Sequence, residues 1–142
     1  MIRTLLLAVW LMFMLAPASL AVEKEKIKVA CIGNSITFGA GLSNQARDSY
    51  PAVLGQMLGS GYDVRNFGVS GTTVLSSGDS PYINTRVYKQ VLDFQPDIIF
   101  IKFGTNDSKG GNWKHKDEFK GDMQAMIDVF SSMDSKPKIY LC

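Results

Sequence analysis

Residues 27–35 read IKVACIGNS, a mostly apolar run that ends in a glycine, an asparagine and a serine. A short apolar run without regular polar alternation is typical of a strand that is covered by protein on both faces. The small polar residues that follow it mark the end of that strand. The stretch therefore predicts the first strand of a sheet that has helices on both sides.

Strand and helix patterns alternate along the rest of the chain. Strand patterns recur at residues 62–67, 98–103 and 138–142, and helical spacing occurs at residues 49–58, 81–94 and 116–133. Such alternation requires right-handed crossovers and produces a parallel sheet. We expect an α/β fold, a doubly wound three-layer α/β/α sandwich with the flavodoxin-like strand order 2-1-3-4. Because the chain stops within a strand pattern, we expect this sandwich to be incomplete at the C-terminus.

The N-terminal residues 1–21 have the layout of a signal peptide. Arg3 precedes an apolar core at residues 5–15, and Ser19 and Ala21 are small residues of the kind found at a cleavage site. The core is shorter than the roughly 20 residues that a membrane-spanning helix needs, so a retained anchor is the less favoured alternative. We expect an exported protein, periplasmic or secreted, without stable membrane insertion after cleavage. Residues 22–142 then form the N-terminal portion of a single domain.

Composition and charge exclude several classes of function. Lys plus Arg number 15 and Asp plus Glu number 13, which gives a net charge of +2 without a basic stripe. A nucleic-acid partner is not expected from this distribution. Two cysteines and one histidine are too few for a typical zinc site, and the chain contains neither a dinucleotide fingerprint nor a phosphate loop. We expect no metal and no cofactor.

The two cysteines, Cys31 and Cys142, both lie in apolar strand patterns. In the strand order 2-1-3-4, one strand separates them, and two steps of about 4.8 Å place their backbones about 10 Å apart. A disulfide tolerates a Cα separation of about 7 Å. We therefore expect both thiols to be buried and unpaired.

Three polar segments follow the first three strands, where ligands bind in doubly wound sheets. They are GNSITFGAG at residues 33–41, NFGVSG at residues 66–71 and GTND at residues 104–107. Taken singly, each has the composition of an ordinary turn. Together they bring a serine hydroxyl, a glycine N–H and an asparagine amide to one edge of the sheet. This combination is typical of a nucleophile with two oxyanion donors.

In their order and approximate spacing, these segments resemble three of the four sequence blocks of the SGNH hydrolases, also called GDSL-type esterases. The resemblance implies that Ser35 is the nucleophile and that Gly68 and Asn106 are oxyanion donors, with the Ser35 N–H as a third. Position 34 departs from the family pattern, because it is Asn instead of Asp. The family's Asp-x-x-His block is missing and is expected beyond Cys142. We expect the lone histidine, His115, to be a surface residue and not the catalytic base.

Residues 104–108, the pair Asn112-Trp113 and residues 78–82 are similar to bacterial carbohydrate esterases of the sialate O-acetylesterase and acetylxylan esterase types. This similarity implies hydrolysis of an O-acetylated sugar or small ester through an acyl-enzyme on Ser35. Tyr82 and Trp113 are substrate-side candidates because aromatic rings pack well on sugar faces, although both could instead be core or loop anchors. We expect the 142-residue fragment alone to be inactive, because it contains no suitable base.

Two alternatives remain open at this stage. The first is an SGNH lipase, lysophospholipase or thioesterase, which would need a long apolar groove. The second is a non-catalytic flavodoxin-like module that binds an anion at the Ser35 turn.

Overall fold

The computed structural model of the protein describes residues 25–142. The predicted signal peptide lies outside the described residues, so the division into a leader and a domain stays a prediction. Among the described residues, none of the helices combines the length and the apolar character that crossing a membrane requires.

The described strands form one parallel sheet. They are β1 (Ile27–Gly33), β2 (Tyr62–Gly68), β3 (Ile98–Lys102) and β4 (Lys138–Leu141). Their order is β2-β1-β3-β4, which confirms the predicted topology. The register aligns Gly33 with Gly68 on one side and with Lys102 on the other. The three polar segments therefore start side by side at the carboxyl edge of the sheet.

Helices connect the strands. They are α1 (Ser35–Phe38), α2 (Gln45–Asp48), α3 (Tyr50–Leu58), α4 (Arg86–Phe94), α5 (Gly110–Trp113) and α6 (Phe119–Ser131), with 3-10 turns at Tyr82–Asn84 and Lys116–Glu118. The helix predicted at residues 81–94 is divided in two, because Thr85 is extended and its side chain accepts the N–H of Tyr88 to start α4. The four-residue helices α1, α2 and α5 are too short to show a helical period in the sequence.

The main core lies between one face of the sheet and the helices α4 and α6. Buried residues from the sheet and from both helices form it: Ala30, Ile32, Ile99 and Ile101, then Val91 and Phe94, then Met126 and Phe130. Cys31 alternates with Ala30 and Ile32 and lies beside Tyr50 of α3, on the opposite face of the sheet. Helices thus cover both faces, as the predicted three-layer sandwich requires.

Both cysteines are free, as predicted from the strand order, but only Cys31 is buried. The expectation that Cys142 is also buried is wrong. β4 is the outer strand of the described sheet and ends at Leu141. The N–H of Cys142 still donates to Ile101 O, but the side chain of Cys142 is exposed.

Candidate active site

Ser35 is the first residue of α1 and is half-buried at the carboxyl edge of the sheet. Asn34 is buried and caps this short helix, because its Oδ1 accepts the N–H of Ile36 at 3.1 Å. The helix ends at Gly39, whose φ of 88° is in the left-handed region that glycine adopts without strain. The chain therefore leaves β1 and turns at once, and this turn places the serine at the head of a helix.

Gly33 allows this turn to pack tightly. A Cβ atom at Gly33 would overlap Thr37 Oγ1 and the carbonyl oxygen of Lys102. Thr37 is itself buried, and its hydroxyl is 3.3 Å from the hydroxyl of Tyr50. The position of the Ser35 turn is thus determined by close packing against β3 and α3.

Asn66, near the end of β2, attaches the second polar segment to α1. Its Nδ2 donates to the carbonyl oxygen of Thr37 at 2.8 Å, and its Oδ1 accepts the N–H of Gly68 at 2.9 Å. A Cβ atom at Gly68 would overlap the backbone of Phe38. Gly68 is therefore a close-packing residue whose N–H is already donated within the protein. Its predicted role as an oxyanion donor does not fit this geometry.

Gly71 offers the free N–H that Gly68 lacks. It has a φ of 86° and open space around it. Across residues 25–142 its N–H has no hydrogen-bond partner. The turn that carries Gly71 is anchored beside the Ser35 segment, because the N–H of Val69 donates to Gly33 O at 2.9 Å. A second glycine after Ser70 was the available sequence signal, although spacing alone did not show which N–H stays free.

Asn106 lies in the third polar segment and is 4% exposed. Its Nδ2 donates one hydrogen to the carbonyl oxygen of Thr72 at 2.9 Å. Since an amide nitrogen carries two hydrogens, the second remains available to a ligand. Thr72 directly follows Gly71, so this bond joins the two loops that carry the candidate donors. The structure therefore brings the Asn106 amide near a free glycine N–H, that of Gly71 and not Gly68, and the role of this pair as oxyanion donors stays a prediction.

Two further buried polar residues, Asp107 and Asn112, hold these loops. The Asp107 carboxylate accepts backbone N–H groups from both loops, and the Asn112 side chain donates to the carbonyl oxygen of Asn106 at 3.0 Å. Neither residue was assigned a role from the sequence. The available sequence signal for Asp107 was a carboxylate in the polar segment after β3, directly after the candidate amide of Asn106.

Tyr82 is a core residue. It is fully buried, its hydroxyl donates to the carbonyl oxygen of Phe67 at 2.7 Å, and its ring packs edge-on against Tyr88 and Phe103. Burial raises the pKa of its hydroxyl above the usual range. The prediction that Tyr82 contacts substrate is therefore wrong. Trp113 ends α5 with 47% of its surface exposed and stays a candidate for substrate contact.

His115 lies at the surface end of the loop after α5. Its Nδ1 is 3.3 Å from Oε1 of Glu118, and its side chain is partly exposed. Its backbone N–H donates to Asn112 O and its carbonyl oxygen accepts the Glu118 N–H, both within residues 112–118. Within the described range, no three side chains of the types that ligate metals come together.

Two comparisons with known protein sequences give matches over most of the chain. The model of the GDSL-like lipase/acylhydrolase family matches residues 31–142. An acetylxylan esterase from Xylanibacter ruminicola is 49% identical over 118 residues, which is 83% of this chain but 24% of that protein. The chain thus spans about a quarter of that relative's length.

Solved structures of similar fold include esterases. The D162A mutant of the esterase AlinE4 superposes with a TM-score of 0.65 at 26% identity, covering 84% of this chain and 59% of the other. A carbohydrate acetylesterase family member from Sinorhizobium meliloti gives a TM-score of 0.64 at 25% identity, covering 80% and 61%. A two-domain esterase active on acetylated mannans shares the fold, with a TM-score of 0.63 at 21% identity over 82% of this chain and 30% of that one.

Proposed function

The chain belongs to the GDSL-like lipase/acylhydrolase family, and from this premise we propose that the protein is a serine ester hydrolase that removes O-acetyl groups from carbohydrates. The proposal rests on two hydrogen-bond donors close to the Ser35 turn. They are the Gly71 N–H and the second hydrogen of the Asn106 amide, and neither is donated to another atom of the described residues. The Asn106 amide donates to the carbonyl oxygen of Thr72, next to Gly71, and the Gly71 turn donates through Val69 to Gly33, the last residue of β1.

In the proposed reaction, Ser35 Oγ forms a bond to the carbonyl carbon of the acetyl ester while its proton passes to a base. The carbonyl oxygen becomes an oxyanion, which accepts hydrogen bonds from the Gly71 N–H, the Asn106 amide and the Ser35 N–H. The sugar hydroxyl leaves with a proton, and water then releases acetate from the acyl-enzyme. We assign the base to the histidine of the family's Asp-x-x-His block, which residues 1–142 do not contain.

Preorganisation supports catalysis at this site. The Ser35 turn is held by the Asn34 cap, and the two donor loops are held by buried hydrogen bonds. Donors that are already aimed when the charge develops cost no reorganisation in the transition state. A simple anion site would instead be expected to recruit Lys or Arg, whereas the side chains that meet here are a hydroxyl and an amide.

The substrate class rests on two observations. The similar acetylxylan esterase shares about half of the aligned residues, and the exposed indole of Trp113 is available near Asn112, which contacts the Asn106 loop. We propose that Trp113 packs on a sugar ring of the substrate. Accordingly, Trp113→Ala should raise KM for acetylated xylan more than KM for p-nitrophenyl acetate, which has no sugar.

The decisive experiment uses protein expressed from its full coding sequence. Acetate release from acetylated xylan is measured for the wild type and for Ser35→Ala, together with labelling by a fluorophosphonate probe. We expect the variant to fold normally and to lose both hydrolysis and labelling, because the change removes only one hydroxyl. Wild-type-like turnover by Ser35→Ala would exclude Ser35 as the nucleophile. A wild-type protein that neither turns over nor labels would favour the anion-binding alternative.

We also propose that the protein is exported. The signal-peptide pattern of residues 1–21 supports this location. N-terminal sequencing of the mature protein should begin at Val22. Recovery of a mature protein that retains Met1 would contradict the proposal.

A further inference from the structure

The Asp107 side chain is fully buried, and its two carboxylate oxygens accept three backbone N–H groups. Oδ1 accepts from Val74 at 2.8 Å and from Leu75 at 2.9 Å, and Oδ2 accepts from Gly104 at 3.1 Å. Two of these donors belong to the loop after β2 and one belongs to the loop after β3. A single side chain thus joins the two loops from which the candidate oxyanion donors arise.

The joined positions are close in sequence to those donors. Val74 lies three residues after Gly71, and Asp107 directly follows Asn106. A further hydrogen bond joins the same two loops, because Asn106 Nδ2 donates to Thr72 O at 2.9 Å. Asn112 supports the same loop from another direction, since it donates to Asn106 O at 3.0 Å and exchanges hydrogen bonds with Asp79.

We propose that Asp107 is a positioning residue for ester hydrolysis: its buried carboxylate fixes the Gly71 loop against the Asn106 loop, so that both donors aim at one oxyanion. This inference rests on the proposed function of Ser35, Gly71 and Asn106. Donors that are held by the fold act on the transition state more than on the bound ester, because the oxyanion forms only during the reaction.

The charge of Asp107 alone predicts the opposite effect on the rate of hydrolysis. A carboxylate near a developing oxyanion repels it, so neutralising Asp107 would speed hydrolysis if electrostatics dominated. Positioning instead predicts a slower reaction, because the amide of Asp107→Asn cannot accept all three N–H groups. One of its ends carries hydrogens and would face a backbone N–H. The direction of the change in kcat therefore separates the two effects.

The test compares Asp107→Asn with Asp122→Asn in protein expressed from its full coding sequence. Asp122 is the matched control, because its Oδ2 accepts the Ser76 N–H at 2.7 Å and joins the same loop to α6, away from Asn106. We expect kcat on p-nitrophenyl acetate to fall about ten- to hundredfold in Asp107→Asn, with KM changed less than about twofold. Asp122→Asn should keep the wild-type kcat.

A double-mutant cycle with Asn106→Ala tests whether Asp107 acts through the oxyanion hole. The loss caused by Asp107→Asn should be smaller in the Asn106→Ala background than in the wild type. Independent, multiplicative losses in kcat would overturn the proposal, and so would a wild-type or faster kcat in folded Asp107→Asn. Equal losses in Asp107→Asn and Asp122→Asn would also overturn it, because they would indicate general loosening of the loop.

Folding is checked by thermal unfolding of each variant. If Asp107→Asn does not fold, Asn112→Ala replaces it, and the same loss in kcat at constant KM is expected from release of the Asn106 carbonyl. A folded Asn112→Ala with wild-type kcat would then contradict the proposal. A wild type that shows no Ser35-dependent hydrolysis would instead refute the proposed function itself, so the two failures can be told apart.

Discussion

Replacing Asn106 with alanine tests the oxyanion hole most directly. The change removes an amide that has two separate tasks: one hydrogen is donated to Thr72 O, and the other is assigned to the developing oxyanion. The first task affects the folded state, and the second affects only the transition state. The two consequences can therefore be measured independently.

The structure allows both magnitudes to be worked out. Loss of one oxyanion donor typically lowers kcat by about 10²–10³, which corresponds to about 2.7–4 kcal/mol of transition-state stabilisation. Thr72 is 1% exposed, so its carbonyl oxygen would lose a buried partner. Such a loss lowers the free energy of unfolding by about 1–3 kcal/mol. Because a domain is stable by about 5–15 kcal/mol, we expect Asn106→Ala to stay folded while kcat falls.

The assay is steady-state hydrolysis of p-nitrophenyl acetate, with urea unfolding of the same samples. Asn44→Ala is the control, since Asn44 caps α2 at the surface through a 3.2 Å bond from the Arg47 N–H. It should lose up to about 1 kcal/mol of stability and keep its kcat. If Asn106→Ala raised KM and left kcat unchanged, Asn106 would be a substrate ligand and the oxyanion assignment would be refuted.

Three other predictions concern packing. Gly68→Ala should lower Tm much more than Gly61→Ala, because a Cβ at Gly68 overlaps backbone while a Cβ at Gly61 meets open space and Gly61 does not have a positive φ; equal shifts would contradict the packing role. Tyr82→Phe should lower the free energy of unfolding by about 1–3 kcal/mol without changing KM, and a raised KM would return Tyr82 to the substrate site. Burial raises the pKa of Cys31 to about 12, so a thiol reagent at pH 8 should modify Cys142 alone until the protein unfolds; a mass two hydrogens below that of the reduced chain would reveal a disulfide instead.

Most of the fold could be predicted from the sequence, because its strands are apolar runs with clear ends. Ile27–Gly33 and Ile98–Lys102 are central strands, and the order of the four strands is the one expected for a flavodoxin-like sheet. The helix boundary at Thr85 was missed because a 3-10 turn precedes it and carries the same apolar spacing into α4. That boundary depends on one side-chain cap, which a periodic pattern does not record.

The sequence predicted where the candidate site lies in the fold, but it did not identify every residue there. Ser35 and Asn106 lie in the polar segments that follow β1 and β3, so the topology alone brings them to one edge of the sheet. The choice between Gly68 and Gly71 depends on which N–H Asn66 has already accepted, and this is a question of three-dimensional geometry. Tyr82 lies in a polar-looking stretch, yet its hydroxyl reaches Phe67 O and allows the ring to be buried. Long-range hydrogen bonds of this kind leave no local pattern in the sequence.

The cap at Asn34 also affects how samples of the protein age. Asparagine followed by serine is a common site of spontaneous deamidation, which turns the side chain into a carboxylate. Asn34 caps α1 through its carbonyl oxygen, an atom that aspartate retains, and its burial restricts the backbone motion that the reaction needs. A new negative charge would also lie at a helix N-terminus, where it is tolerated. Long storage should therefore change the isoelectric point of the protein at exposed asparagines before it alters the turn that holds Ser35.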